Sequence, residues 1–253
     1  MILCVAAQKG GVGKTSLSVH LSGAFAESNG RVLLCDVDPQ HSLSSTFVDD
    51  VYSLEVTMKD LLCDPDISPS KAISSTKFAN IDIIPSNLEL GTVEIELRED
   101  PDWQYLLNDK LETVKQDYGL VLIDCPPSLG TFTPLALVAS DYVIIPLECS
   151  SYAVKSTMFI LDEIERAKKR ANPPLEILGF LINRIDARRR LEQDYRELIR
   201  EQFGDKVFKT EFKNSVKYAE AVTLGLPVTF YLPKSEQAEA YRELLKELQR
   251  KIA

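Results

Sequence analysis

The chain is predicted to be a doubly wound α/β protein, with a mostly parallel sheet covered by helices on both faces. Three observations predict it. Short runs rich in Val, Ile and Leu recur along the chain, each followed by a longer helical pattern. The runs are apolar nearly throughout instead of alternating, as expected of strands buried on both faces. Strand–helix alternation also implies right-handed crossovers between parallel strands.

The strand-like runs, in order, are 2–7 (ILCVAA), 31–38 (RVLLCDVD), 81–85 (IDIIP), 119–127 (GLVLIDCPP), 141–148 (DYVIIPLE) and 175–186 (LEILGFLINRID). Helical patterns cover 14–28, 103–116, 150–170, 188–202 and 235–251. Ser150 and Ser151 are candidate caps for the third, and Pro173-Pro174 stops it. No repeat, low-complexity tract or linker divides the chain, so residues 1–253 are expected to form one domain.

Composition narrows the function classes. Of the 253 residues, 45% are apolar and 26% charged, ordinary for a globular protein. No apolar run is long enough to span a bilayer, and residues 1–7 do not resemble a signal peptide, which points to the cytosol. The five cysteines form no C-x-x-C pair and four sit in or beside strand-like runs, so buried thiols are expected rather than a metal site. The net charge of −9 is unevenly spread: residues 1–164 hold 10 Lys/Arg against 24 Asp/Glu, and residues 165–253 hold 19 against 14. The basic excess of the second part admits a polyanion-binding surface on an otherwise acidic protein.

Between the first strand and first helix lies KGGVGKTS, residues 9–16. Gly10, Gly11 and Gly13 allow the backbone to turn its N–H groups inward as a nest for phosphate oxygens, beside the N-terminus of the next helix. Lys14 is placed to reach the β- and γ-phosphates of a nucleotide and the Thr15 hydroxyl to ligate Mg²⁺. The common pattern G-x-x-x-x-G-K-[ST] fails at its first glycine, where Gln8 stands, and an additional lysine, Lys9, precedes the glycines. Further on, a run of Leu, Val and Ile ends in Asp124, the form of a carboxylate that holds Mg²⁺ through water. Asp36 and Asp38 end the second strand, and their alternate spacing places them on one side of an extended chain.

KGGVGKTS resembles the deviant Walker A motif of the ParA/MinD family of ATPases, and the resemblance extends over about nine-tenths of the chain, closest to small Soj-like ParA partition proteins. Residues 49–80 are its least familial part. It implies ATP and Mg²⁺ as cofactors and a homodimer that sandwiches two nucleotides, with Lys9 crossing to the phosphates of the partner subunit. The nucleotide would be held by Lys9, Gly10, Gly11, Val12, Gly13, Lys14, Thr15 and Ser16, with Asn183 and Pro233 at the base. Asp38 would activate the attacking water, supported by Asp36, and Thr15, Asp38 and Asp124 would form the metal site. The segment after Asp124, with Pro126, Pro127 and Gly130, resembles the loop that senses the γ-phosphate, and Glu148 falls at the dimer face. Lys155 departs from the Soj-like pattern and is expected to be a solvated lysine.

For function, the resemblance implies a partition ATPase. Its ATP dimer would bind DNA without sequence preference, and a ParB-like partner would stimulate hydrolysis and release. Candidate DNA contacts are Arg188, Arg189, Lys213 and Lys217, with Arg190, Lys206 and Lys209 nearby. The alternative, a MinD-like membrane ATPase, needs an amphipathic terminal helix with a free apolar face. In the last helix, however, Tyr241, Leu244, Leu245, Leu248 and Ile252 suit packing on the domain, so no membrane partner is expected. A nitrogenase-iron-protein reading lacks a second cysteine to accompany Cys125. The loop begins at residue 9, so no N-terminal operator-reading extension is expected. The protein should be cytoplasmic, and nucleoid-associated when bound to ATP.

Overall fold

The computed structural model describes residues 1–150, 153–186 and 188–252, with the side chains of 153–156 excluded. Seven strands form one sheet: β1 (Ile2–Val5), β2 (Val32–Asp36), β3 (Ser74–Ser75), β4 (Ile81–Ile84), β5 (Leu120–Asp124), β6 (Tyr142–Glu148) and β7 (Glu176–Asn183). Their order is β3-β4-β2-β5-β1-β6-β7. Every pairing is parallel except that of β3 with β4, a two-residue antiparallel edge. The six strand-like runs of the sequence are the six parallel strands, each trimmed by a few residues at its ends.

The longer helices are α1 (Lys14–Glu27), α2 (Met58–Cys63), α3 (Leu106–Glu112), α4 (Phe132–Val138), α5 (Ala153–Arg170), α6 (Arg190–Phe203), α7 (Val216–Thr223) and α8 (Glu236–Ile252). They cover both faces of the sheet. One core joins alternate residues of the strands to α2–α6, through Leu61, Leu111, Leu135, Ile164 and Ile199. The other joins the remaining strand residues to α1, α7 and α8, through Leu17, Leu21, Ala221, Leu244 and Leu248. Burial on both faces is why the strands read as continuous apolar runs.

The apolar face of α8 is packed: Tyr241, Leu244, Leu245 and Leu248 are buried, and Ile252 lies against the same core. Among the described residues no helix is long and apolar enough to cross a membrane. Cys4, Cys35, Cys125 and Cys149 are buried free thiols, and Cys63 is exposed. The helix expected over 103–116 is broken instead: one 3₁₀ turn precedes α3 and another follows it. Ser151, a candidate cap of α5, and the Lys155 side chain lie outside the described residues.

Between β1 and its neighbours the chain reverses direction across the sheet. From β1 it runs out to β2 and β4, returns to β5, then passes to β6 and β7 on the other side. Such a switch leaves a crevice at the carboxyl ends of the central strands, where α/β proteins bind ligands.

Candidate nucleotide site

The loop leaving β1 lies in that crevice. Gly11 and Gly13 adopt positive φ values of 78° and 91°, which an L side chain resists. A Cβ on Gly13 would also stand 2.3 Å from Asn183 Nδ2. Gly13 caps α1 with no side-chain bond, so the first N–H groups of the helix face the crevice. The loop and helix start line a cavity of about 790 Å³, together with Asp38, Pro127, Asn183 and part of α7.

Lys14 is buried in this cradle, and its Nζ donates weakly to the Lys9 carbonyl at 3.5 Å. Burial draws its pKa below the usual lysine value, opposed by the charge of Asp124. Asp124, at the end of β5, is 1% exposed and accepts from Thr15 Oγ1 at 2.7 Å and Ser18 Oγ at 2.8 Å. Burial raises its pKa to about 6 against those hydrogen bonds.

β2 stops at Asp36, and the turn that follows, at Pro39 and Gln40, comes after Asp38. The Asp36 carboxylate is fully buried and accepts from Asp38 N at 3.0 Å, Ser44 N at 2.8 Å and Ser44 Oγ at 2.7 Å. It pins the 38–44 loop, and burial, then the charge of Asp124, raises its pKa to about 7. Asp38 lines the cavity, and its Oδ1 accepts the local Gln40 N–H at 2.9 Å.

Lys9 points away from the cavity. Its Nζ lies 2.6 Å from Glu148 Oε2 at the end of β6. Glu148 also meets Arg184 Nη1 at 3.4 Å, and the same Nη1 donates to the Gly11 carbonyl at 2.8 Å. Arg184 itself holds a φ of 59°, rare for a side-chain-bearing residue. Asn183 precedes it, donating from Nδ2 to the Val12 carbonyl at 2.8 Å and accepting from Arg184 N. β7 is thereby tied across to the phosphate loop. Arg184, Ser18 and Ser44 have no role in the sequence reading; Arg184 and Ser44 are brought in by the chain that follows β7 and β2, and Ser18 by the second turn of α1.

The other expected residues divide. Gly10, Ser16 and Lys213 line the cavity, while Val12 is buried beneath the loop. Pro233 is absent from the described lining, and its carbonyl accepts from Arg242 Nη2 at 2.9 Å. Among the DNA candidates, Arg188 pairs with Asp186 at 3.0 Å, Arg189 with Glu192 at 3.2 Å and Lys213 with Glu236 at 3.3 Å. Lys217 is exposed on α7 and forms no ion pair among the described residues.

Residues 1–177 match the AAA domain family model. The chain is 39% identical over 247 residues to the sporulation initiation inhibitor protein Soj of Bacillus subtilis, covering 98% of this chain and 97% of that protein. The chain belongs to the ParA/Soj-like ATPase family. To the chromosome partitioning protein ParA of Caulobacter vibrioides it is 36% identical over 249 residues, 98% of this chain and 93% of that one. The cobyrinic acid a,c-diamide synthase of Mycobacterium smegmatis, solved with an ATP analogue and magnesium, superposes with a TM-score of 0.86 at 31% identity, over 98% of this chain and 94% of that one. In this chain the glycine-rich loop and Thr15 line the crevice, and Thr15 donates to Asp124 behind it.

Proposed function

We propose that this ParA/Soj-like protein is a Mg²⁺-dependent partition or positioning ATPase, with residues 1–253 acting as one ATPase unit. The observation that carries the reading is the joint placement of Lys14, Thr15 and Asp124 at a glycine loop whose helix N-terminus opens on a cavity of about 790 Å³. The donor set suits magnesium-ATP. No cluster of three or more His, Cys, Asp or Glu fit for a metal exists among the described residues. Magnesium held by one carboxylate, one hydroxyl and phosphate oxygens needs no such cage. Gly11 and Gly13, both at positive φ, put no side chain into the loop beside Lys14.

In this reading Lys14 neutralises phosphate charge in a water-poor cradle, where its interaction is strengthened. Thr15 and Asp124 hold the metal. Asp38, whose carboxylate accepts a local turn bond, orients the attacking water with support from Asp36. Asn183 and α7 border the base. Bound magnesium-ATP supplies the phosphoryl group that hydrolysis transfers to water, giving ADP and phosphate. Lys9 leaves Glu148 to reach the nucleotide of a second copy, as an arginine finger acts in trans.

The ATP-bound dimer then binds DNA by its backbone, through Lys217 and neighbouring basic residues of the second half. A ParB-like partner stimulates hydrolysis and release, so that a plasmid, chromosome or other large cargo is segregated in the cytoplasm over the nucleoid. The partitioning role named for the Caulobacter relative supports this choice, and the packed face of α8 argues against a membrane anchor. The deciding experiment measures ATP-dependent binding to random-sequence DNA and to anionic liposomes in parallel. DNA binding that needs ATP and falls with salt supports the proposal, and liposome binding without DNA binding overturns it. Lys14→Ala should abolish nucleotide binding; unchanged ATP affinity would remove the loop from its assigned role.

A further inference from the structure

A second cavity, of about 710 Å³, lies apart from the nucleotide site and shares no lining residue with it. It opens between the end of α2 with its following loop and the 94–113 stretch. Its floor is aliphatic, made by Leu62, Ile67, Leu97 and Leu106. Its rim is acidic: Asp66, Glu96, Asp100 and Asp109 are all exposed lining residues. None of the four forms an ion pair among the described residues. The lining holds one cation, Lys110, and its ammonium is already occupied. Lys110 Nζ donates to the carbonyls of Asp64 at 2.9 Å, Pro65 at 2.9 Å and Ile67 at 2.6 Å. That triple bond set stitches the 64–67 loop onto α3, so the loop wall is fixed without any ligand.

Leu62 and Leu97 are buried and Ile67 and Leu106 half-buried, so the floor is a recessed apolar lining of the kind that takes a side chain. Four uncompensated carboxylates around it repel an acidic occupant and leave a cationic one favoured. Charge steering acts in the same direction, because residues 1–164 carry a net −14. We propose that this cavity docks a short cationic segment of a partner protein, with one apolar side chain in the floor and flanking Lys or Arg over the rim. A peptide meets both chemistries at once; the aliphatic stems of Lys and Arg lie along apolar surface while their charges reach the carboxylates.

The test uses a displayed library of random dodecapeptides, panned on the intact protein and on two variants. Asp66→Lys/Glu96→Lys/Asp100→Lys reverses the rim, and Cys63→Trp fills the cavity from an exposed position while keeping the rim charge. Both variants are first checked for unchanged thermal unfolding and ATP binding, and Thr113→Trp replaces Cys63→Trp should that fold poorly. The expected result is enrichment of peptides that combine two or more Lys/Arg with a large apolar residue. Their affinity should fall at least about tenfold in both variants. Three results overturn the proposal: no enrichment over the reversed-rim protein, enrichment of acidic or uncharged peptides, or a loss on charge reversal with none on filling. The last would mean attraction to an acidic surface without a cavity. ATP binding serves as the separate readout, so failure here leaves the nucleotide site untouched and the reverse also holds.

Discussion

At the scale of single residues, Glu148 and Gly13 are the most exacting. Lys9, proposed to act on a second copy, is held at 2.6 Å by Glu148 of its own chain. The pair is partly solvated and so weakly held, yet it competes with any other destination of the lysine. Glu148→Gln should therefore tighten the dimer formed with a non-cleavable ATP analogue by a few-fold, read by sedimentation equilibrium. A looser dimer would place Glu148 among the interface contacts instead. At Gly13, alanine would combine a φ of 91° with a Cβ 2.3 Å from Asn183 Nδ2. Strain of this kind costs about 1–3 kcal/mol. Gly13→Ala should lower the urea midpoint accordingly and weaken nucleotide binding, and Asn183→Ala in addition should relieve only the steric part.

At the scale of elements, α1 is the hinge between site and core. His20 is buried in it, accepts the Val228 N–H at 3.1 Å and packs against Tyr218 and Tyr241. Burial lowers its pKa to about 3. As pH falls below 6.5 the unfolded chain takes up a proton that the fold refuses. Stability due to His20 is therefore full above 6.5 and lost below it, by up to about 1.4 kcal/mol per pH unit. Asp36 and Asp124 act in the opposite sense, since their raised values mean the fold gains from protonation as pH drops below about 7 and about 6. The contrast with His20→Gln isolates the histidine: its loss of stability from pH 7 to pH 5 should be smaller than wild type by about 2 kcal/mol in urea unfolding. Parallel slopes would exonerate the ring. Gly23, one turn further, faces Pro227, whose Cβ would lie 2.2 Å from an added Cβ. Gly23→Ala should cost about 1–3 kcal/mol through overpacking.

The elements also show what could be read in advance. The six parallel strands and the α1, α5, α6 and α8 helices carry long, regular patterns, and the structure places each of them. Apart from β4, the 44–97 stretch does not: α2, the two-residue β3 and single turns at Ser44–Phe47, Pro69–Ala72 and Glu94–Leu97 are too short to show a period. The phosphate loop and Asp124 were legible because glycine, lysine and carboxylate stand where a strand meets a turn. Arg184 and Ser44 were not, since tertiary folding alone brings them to Gly11 and Asp36.

At the scale of the whole molecule, charge and topology set behaviour. Arg188, Arg189 and Lys213 are neutralised locally, which among the described residues leaves Lys217 the freest of the four DNA candidates. Lys217→Ala should weaken ATP-dependent binding equally for all DNA sequences and reduce the slope of log affinity against log salt by about 1. A change in sequence preference would instead imply contact with bases.

The place of β1 has a further effect, felt while the chain is being made. Leu3 pairs with Leu122 on one side and Tyr142 on the other, so this central strand precedes in the chain both of the strands it must join. Until β5 and β6 emerge, Ile2–Val5 has no edge to join, and its apolar side chains must wait in α1's company or on a chaperone. Synthesis stalled before β6 would yield a sticky intermediate rather than a smaller working protein.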